Sequence, residues 1–259
     1  MKSSKKSLFA YLVIAFVAIS CGGSDNPIPN STIGKNCKLS KVTQVSDGYT
    51  SVTTLKHNNT NLIIEILTLS TVSNKEEQSI YTLSYNAKGQ LATRKLINPT
   101  RVSDYIFIYK YNGQIEKIQT STLFTGDSIP YKDELKYEYN TNGKIVKMIS
   151  NDLFRVYNYD SKGNLSSVQT EYANNVQLTT YQYDDKKNYY NLMQTAFPEE
   201  PSYQNINNVL FFDYKRNGVS TISSKYEYVY NLKGLPTKST AIPKNSSSSI
   251  ATLEYIDCE

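Results

Sequence analysis

A seven-residue unit recurs along this chain, and it constrains the fold more than any other feature. Tyr85-Asn86-Ala87-Lys88-Gly89-Gln90-Leu91 returns as Tyr139-Asn140-Thr141-Asn142-Gly143-Lys144-Ile145 and as Tyr159-Asp160-Ser161-Lys162-Gly163-Asn164-Leu165. A fourth copy, Tyr230-Asn231-Leu232-Lys233-Gly234-Leu235, brings its aliphatic one place early. Tyr111-Asn112-Gly113-Gln114-Ile115 reads as a shortened copy, and Tyr183-Asp184-Asp185-Lys186-Lys187-Asn188 as a degenerate one with Lys187 in place of Gly. Asn or Asp at the first turn position can accept hydrogen bonds from its own downstream backbone, and Gly89, Gly143, Gly163 and Gly234 can take the left-handed conformation that closes a type I turn with a bulge. The Asn112-Gly113 copy suits a two-residue type I′ turn, as do Asp47-Gly48 and Asn217-Gly218. Each unit is therefore expected to be the tip of a hairpin.

Ahead of several tips runs Tyr-x-Tyr, as at Tyr137 and Tyr139 or Tyr157 and Tyr159, and residues two apart share one face of a strand. Tyrosine is the compositional outlier, at 23 copies with no tryptophan, and Thr, Ser, Asn and Gly complete a strand-and-turn vocabulary. Hairpins in succession, with no helix long enough for a crossover, predict an all-β antiparallel meander. Turn signals divide it into roughly 14–16 strands. An open twisted sheet rarely exceeds about ten strands, so a closed or nearly closed barrel-like sheet is favoured, with a two-sheet sandwich or an open spiral as alternatives. Lys, Glu and Asp occupy both strand parities, which predicts a soluble barrel without a lipid-facing apolar band. One long stretch, Asp184 to Asn208, interrupts the meander. It is expected to carry a short helix across Tyr190 to Ala196 that plugs one end.

The first twenty residues read as an address. Lys2, Lys5 and Lys6 precede an uncharged run from Leu8 to Ile19, too short for a stable span of roughly 20 residues. Ala18-Ile19-Ser20-Cys21 resembles a lipobox, which makes Cys21 the expected site of cleavage and acylation. Residues 21–36, opening Gly22-Gly23-Ser24-Asp25-Asn26-Pro27, have the composition of a flexible tether, and 37–259 form a single β domain. Acyl chains contributing about 0.8 kcal/mol per buried CH₂ would hold the protein at a membrane surface.

Three signal lysines account for part of the formal charge of +5, leaving 5 − 3 = +2 for the mature chain. No basic run tracks phosphates, so nucleic acid is not an expected partner. Two cysteines remain beyond Cys21, near the two ends of the domain. An exported compartment permits a bond between Cys37 and Cys258 across a long loop, although two buried free thiols fit equally well.

The tips resemble the tyrosine-aspartate repeats of secreted Rhs-type shells. The whole layout resembles a family of Bacteroidetes lipoproteins with a domain of unknown function and a porin-like β fold. The resemblance rests on the lipobox, the repeats and the C-terminal stretch, from Tyr183-Asp184-Asp185-Lys186-Lys187-Asn188 through Asn207-Asn208-Val209, Tyr226-Glu227-Tyr228 and Gly234-Leu235-Pro236-Thr237 to Tyr255-Ile256-Asp257-Cys258. It implies a β fold and a cell-envelope, outer-membrane location, and supplies no activity.

Chemistry is sparse. His57 is the sole histidine and reads as a solvated turn residue, so no Ser-His-Asp arrangement is visible. Zinc has no cysteine or histidine cluster to bind, and neither a metal nor a cofactor is expected. The acidic pairs Glu76-Glu77, Asp133-Glu134, Asp184-Asp185 and Glu199-Glu200 read as solvated charges, since adjacent strand residues face opposite ways and cannot supply paired glycosidase acids. Asp127-Ser128-Ile129 resembles a Bacteroidetes O-glycosylation sequon. The tyrosine rows read first as cross-strand packing with hydroxyls reaching water, and second as a recognition surface. The leading expectation is a non-enzymatic envelope lipoprotein. It would bind an extracellular glycan or protein through Asp184, Asp185, Tyr189, Tyr190 and Tyr203. A structural or assembly role and an undetected carbohydrate-active enzyme are the alternatives.

Overall fold

Sixteen antiparallel strands follow one another around a closed barrel in the computed structural model, which describes residues 37–151, 153–173 and 175–258. The signal segment, Cys21 and the tether lie outside the described residues. The strands are β1 (Lys38–Ser46), β2 (Tyr49–His57), β3 (Ile63–Val72), β4 (Lys75–Tyr85), β5 (Leu91–Asn98), β6 (Arg101–Tyr109), β7 (Ile115–Phe124) and β8 (Tyr131–Tyr139). They continue as β9 (Ile145–Ile149), β10 (Leu153–Tyr159), β11 (Leu165–Tyr172), β12 (Asn175–Lys187), β13 (Asn207–Arg216), β14 (Val219–Tyr230), β15 (Pro236–Pro243) and β16 (Ser249–Ile256). Each pairs with its neighbours in sequence, and β1 pairs with β16 from Lys38↔Ile256 to Val45↔Ile250. Cys37 and Cys258 are bonded beside this seam.

The repeat turns form as their chemistry requires. Asn86 Oδ1 accepts from the backbone N–H groups of Lys88 (2.9 Å) and Gln90 (3.1 Å), and Gly89 sits at φ +74°. Asn140 and Asn231 repeat the arrangement. The strand pairing shifts by one residue just before the tyrosine at each tip, for example between Ser84 and Tyr85. Two expectations need correction. The Gly113 copy is not shortened: Gly113 N–H donates to Lys110 O and Tyr109 pairs with Ile115, so Tyr109 is the repeat tyrosine and Tyr111 is fully exposed. Of the two expected type I′ turns elsewhere, Asn217-Gly218 has the required positive φ at both residues (48° and 83°), whereas at Asp47-Gly48 only the glycine does.

Because strands alternate direction, all the Asn-x-x-Gly tips lie at one end of the barrel, with Cys37 and the start of β1. The register tells the two faces apart. Leu55, Ile66, Tyr81, Leu96, Ser103 and Thr122 are cross-strand partners in one continuous inward set. Outward positions carry charge at mid-strand: Lys117 and Lys136 flank Glu134 at 2.7 and 3.3 Å, and Lys41 meets Glu254 at 2.7 Å. Exposed aliphatics such as Leu69, Ile97 and Ile106 are interspersed with these charges.

Wall side chains fill a barrel of about eight strands, and one of 16–18 has room left over. Here the stretch between β12 and β13 occupies that room. It runs through two 3₁₀ turns, Tyr189–Met193 and Pro201–Gln204, and buries Tyr189, Met193, Ala196 and Phe197 in the main core with Leu91, Ile118 and Leu165. The expected plug is present as 3₁₀ turns rather than an α-helix.

Candidate functional site

The tyrosines do more than pack. Tyr109 Oη donates to Leu91 O (2.9 Å), Tyr139 to Ile115 O (3.0 Å), Tyr159 to Ile145 O (2.6 Å) and Tyr183 to Leu165 O (2.6 Å). Tyr85 to Ile63 O and Tyr255 to Pro236 O repeat the bond. Each of these six tyrosines thus pins the first residue of the preceding hairpin's return strand and ties neighbouring tips together, whereas Tyr230 donates to Asp184 Oδ2 instead. The expectation that these hydroxyls reach water is corrected: they end on backbone. Burial pushes Tyr85 and Tyr139 up to about 12.

The plug is rooted in the same frame. Asp184 Oδ1 accepts from Lys186 N–H (2.9 Å) and from Asn208 N–H (3.0 Å), as Asn86 does from Lys88 and Gln90. Tyr183 pairs with Val209, as Tyr85 pairs with Leu91. The stretch from Lys187 to Asn207 is therefore an insertion where the other tips carry glycine. Asn164, with no exposed surface, braces its base by donating to Asn207 and accepting from Ile206 and Asn207 N–H.

This placement changes the reading of the candidate contact residues. Asp184 also accepts from Tyr230 (2.9 Å) and Asn208, and burial raises its pKa against those bonds. It holds the fold. Tyr189 is 2% exposed, Tyr190 packs against it with a tilted ring at 4.1 Å, and Tyr203 stacks on Phe197 at 5.0 Å. The rings expected on an outer contact surface face inward, and of the five residues only Asp185 is exposed.

Glu199-Glu200, expected to be solvated, also enters the lumen. Glu199 meets Arg94 at 2.5 Å, each 6% exposed, and Arg94 also donates to Ala196 O at 3.1 Å. The guanidinium sits 4.7 Å from the Tyr105 ring centroid and 4.9 Å from that of Phe197. Burial raises Glu200, opposed chiefly by Arg155 on β10. His57 is half-buried at the end of β2 rather than solvated, its pKa lowered first by burial and then by Lys38. Among the described residues no group of His, Cys, Asp or Glu is placed to hold a metal.

Away from the tips the lumen changes character. Ser51, Thr53, Thr68 and Ser103 are buried there, and Thr53 with Thr68 (3.0 Å) and Thr122 with Ser103 (3.0 Å) form hydroxyl pairs. Beyond them the register places Phe124, Tyr131, Tyr172 and Tyr214 inward at the rim, with Tyr131 38% and Tyr172 42% exposed. The barrel is thus stoppered at the end where the described chain begins, while towards the other end its inward face carries hydroxyls and finishes in partly exposed aromatics. Asp127, Ser128 and Ile129 lie exposed in the β7–β8 loop at that other end.

The fold and site define a plugged 16-stranded antiparallel barrel. Among solved structures, the chain is similar to a porin-like protein from Bacteroides uniformis, with TM-score 0.56 and 12% identity over 84% of this chain and 97% of that one. A porin-like protein from Bacteroides vulgatus also matches, with TM-score 0.46 and 15% identity over 86% and 100%. The first shares the barrel fold. No family model and no curated protein matches the chain.

Proposed function

We propose that this protein is a non-enzymatic envelope lipoprotein, held at the outer membrane through acylated Cys21, whose open mouth binds an extracellular glycan. The observation that carries the reading is the polarity of the barrel. Cys37, the first described residue, lies at the stoppered end, so a tether from Cys21 turns the hydroxyl-lined mouth away from the membrane. A stopper with its base pinned by Asp184 and its centre by Arg94 argues for a cup rather than a conduit. Aromatic faces opposite hydroxyl groups suit the apolar faces and hydroxyl edges of sugars. Charged pairs along the outer wall fit a barrel standing in water.

A panel of glycans offered to the purified chain tests this. A cysteine at Thr122 carrying a bulky maleimide is expected to abolish binding, whereas the same label at Ala87, among the tips, leaves it intact. Binding blocked from Ala87 alone would reverse the orientation. Turnover of any glycan would end the non-enzymatic reading.

A further inference from the structure

The chain has four arginines among its 28 basic residues, and the barrel sorts them. Lys41, Lys95, Lys117, Lys136, Lys147 and Lys225 take outward positions, while Arg94, Arg101, Arg155 and Arg216 all take inward ones. Lys75 shares the inward face at the rim, and below the rim the inward cations of the strands are arginine rather than lysine. What distinguishes them is that a guanidinium is a planar fork matched to carboxylate, weakly hydrated and tolerant of aromatic neighbours, whereas an ammonium is a hydrated point charge.

The plug already shows what this lumen does with a carboxylate. Arg94 holds Glu199 at 2.5 Å amid Tyr105, Phe107 and Phe197, and Arg155 acts on Glu200. Arg94 is committed to the protein's own Glu199, and Arg155 lies within the electrostatic reach of Glu200. Arg101 and Arg216 stand higher, at the rim, and among the described residues neither has a carboxylate within ion-pair distance. Arg216 donates to Asn175 Oδ1 at 3.1 Å, and Arg101 keeps a buried Nε without a partner. The rim carboxylates are otherwise engaged: Asp133 accepts from the N–H groups of Glu134 (2.7 Å) and Asn151 (3.2 Å), and Glu77 lies 3.6 Å from Lys75. Arg101 pairs across strands with Phe124, and Tyr131 follows on β8, so the guanidinium borders an aromatic wall.

We propose that the mouth takes an acidic polysaccharide, whose carboxylates meet Arg101 and Arg216 while its sugar faces lie on Phe124 and Tyr131. This rests on the glycan-binding reading above and names the class of glycan. Six strands lie between β6 and β13 one way round the ring of sixteen and eight the other way, so the two arginines stand nearly opposite each other across the mouth. A ring of that size is about 30 Å wide between backbones, given strand spacing and tilt. No single carboxylate bridges it. The ligand is a chain of several acidic units lying across the opening.

The test compares three probes by calorimetry on the purified chain: an oligogalacturonate, a neutral galactose oligomer of the same length, and a glutamate oligopeptide. The oligogalacturonate is expected to bind at least about tenfold more tightly than either, the scale of one lost charge-assisted contact. Arg101→Gln and Arg216→Gln should each erase that advantage, and Arg101→Lys should fail to restore it, because charge without the planar fork is insufficient. If Arg101→Gln does not fold, the exposed Arg216→Gln carries the comparison. Equal binding of the neutral oligomer would overturn this proposal and leave the glycan-binding mouth standing. Equal binding of the glutamate peptide would overturn the saccharide assignment. A chain that bound no glycan, neutral or acidic, would overturn both.

Discussion

Tyr109 shows how one side chain stabilises its neighbour's hairpin. Its hydroxyl reaches Leu91 O, the first residue of β5, beside the shift in pairing between Ser84 and Tyr85. Tyr109→Phe should lower stability by about 1 kcal/mol, the net worth of one such bond, read as a fall in denaturation midpoint. Tyr111→Phe, two residues on and fully exposed, should change nothing. The pair tests the turn frame, because the shorter frame suggested by Asn112-Gly113 assigns the roles the other way round. The phenols also set an alkaline limit. Burial raises Tyr85, Tyr139 and Tyr181 to about 12 in the folded state, above the ordinary value of 10.0. The folded state holds these protons more tightly, so their contribution is full below the ordinary value and is lost as pH rises through about 12. Titration followed at the tyrosinate absorbance band should show a late, cooperative rise coincident with loss of β circular dichroism. A rise that is complete near the ordinary phenol value, with none left for the loss of β structure, would contradict the ring. The spacing of tyrosine, Asn and Gly was legible because a turn is local. The destination of the hydroxyl was not, because it lies on the next hairpin, 18 residues away for Tyr109 and 24 for Tyr139.

At the scale of elements, the plug is an insertion into a turn whose closing bonds survive without it. Replacing Lys187 to Asn207 by a single glycine would read Tyr183-Asp184-Asp185-Lys186-Gly-Asn208-Val209, which restores the repeat. The barrel is expected to close with unchanged β circular dichroism, provided Arg94→Met accompanies the deletion. Leaving that guanidinium buried and unpaired would itself cost about 3–5 kcal/mol. Loss of β structure in the double variant would show that the strands need the plug to assemble. This stretch and its plugging role are legible from its length, whereas the inward turn of Glu199-Glu200 is not. Adjacent acids beside Pro198 and Pro201 look like a surface loop, and the partner that draws Glu199 inward lies 105 residues earlier. Likewise Tyr189, Tyr190 and Tyr203 looked like an outward recognition surface, because nothing local says that a loop folds into a barrel rather than over it.

Over the whole molecule, the count of turns implied more strands than an open sheet sustains, so closure was readable. The difference between the two ends was not, since it depends on which end receives the insertion and on all four arginines pointing inward. That difference is the basis of the functional reading. Because the chain contains no tryptophan, one introduced at Phe197 becomes a unique reporter of where the plug sits. Phe197 lies between the rings of Tyr81 (5.8 Å) and Tyr203 (5.0 Å), close to Arg94. The Phe197→Trp fluorescence spectrum, with iodide as quencher, is the most direct measurement. Blue-shifted emission shielded from iodide is the result expected of a stopper packed inside the wall, and red-shifted, freely quenched emission would place this stretch outside the barrel and contradict the account.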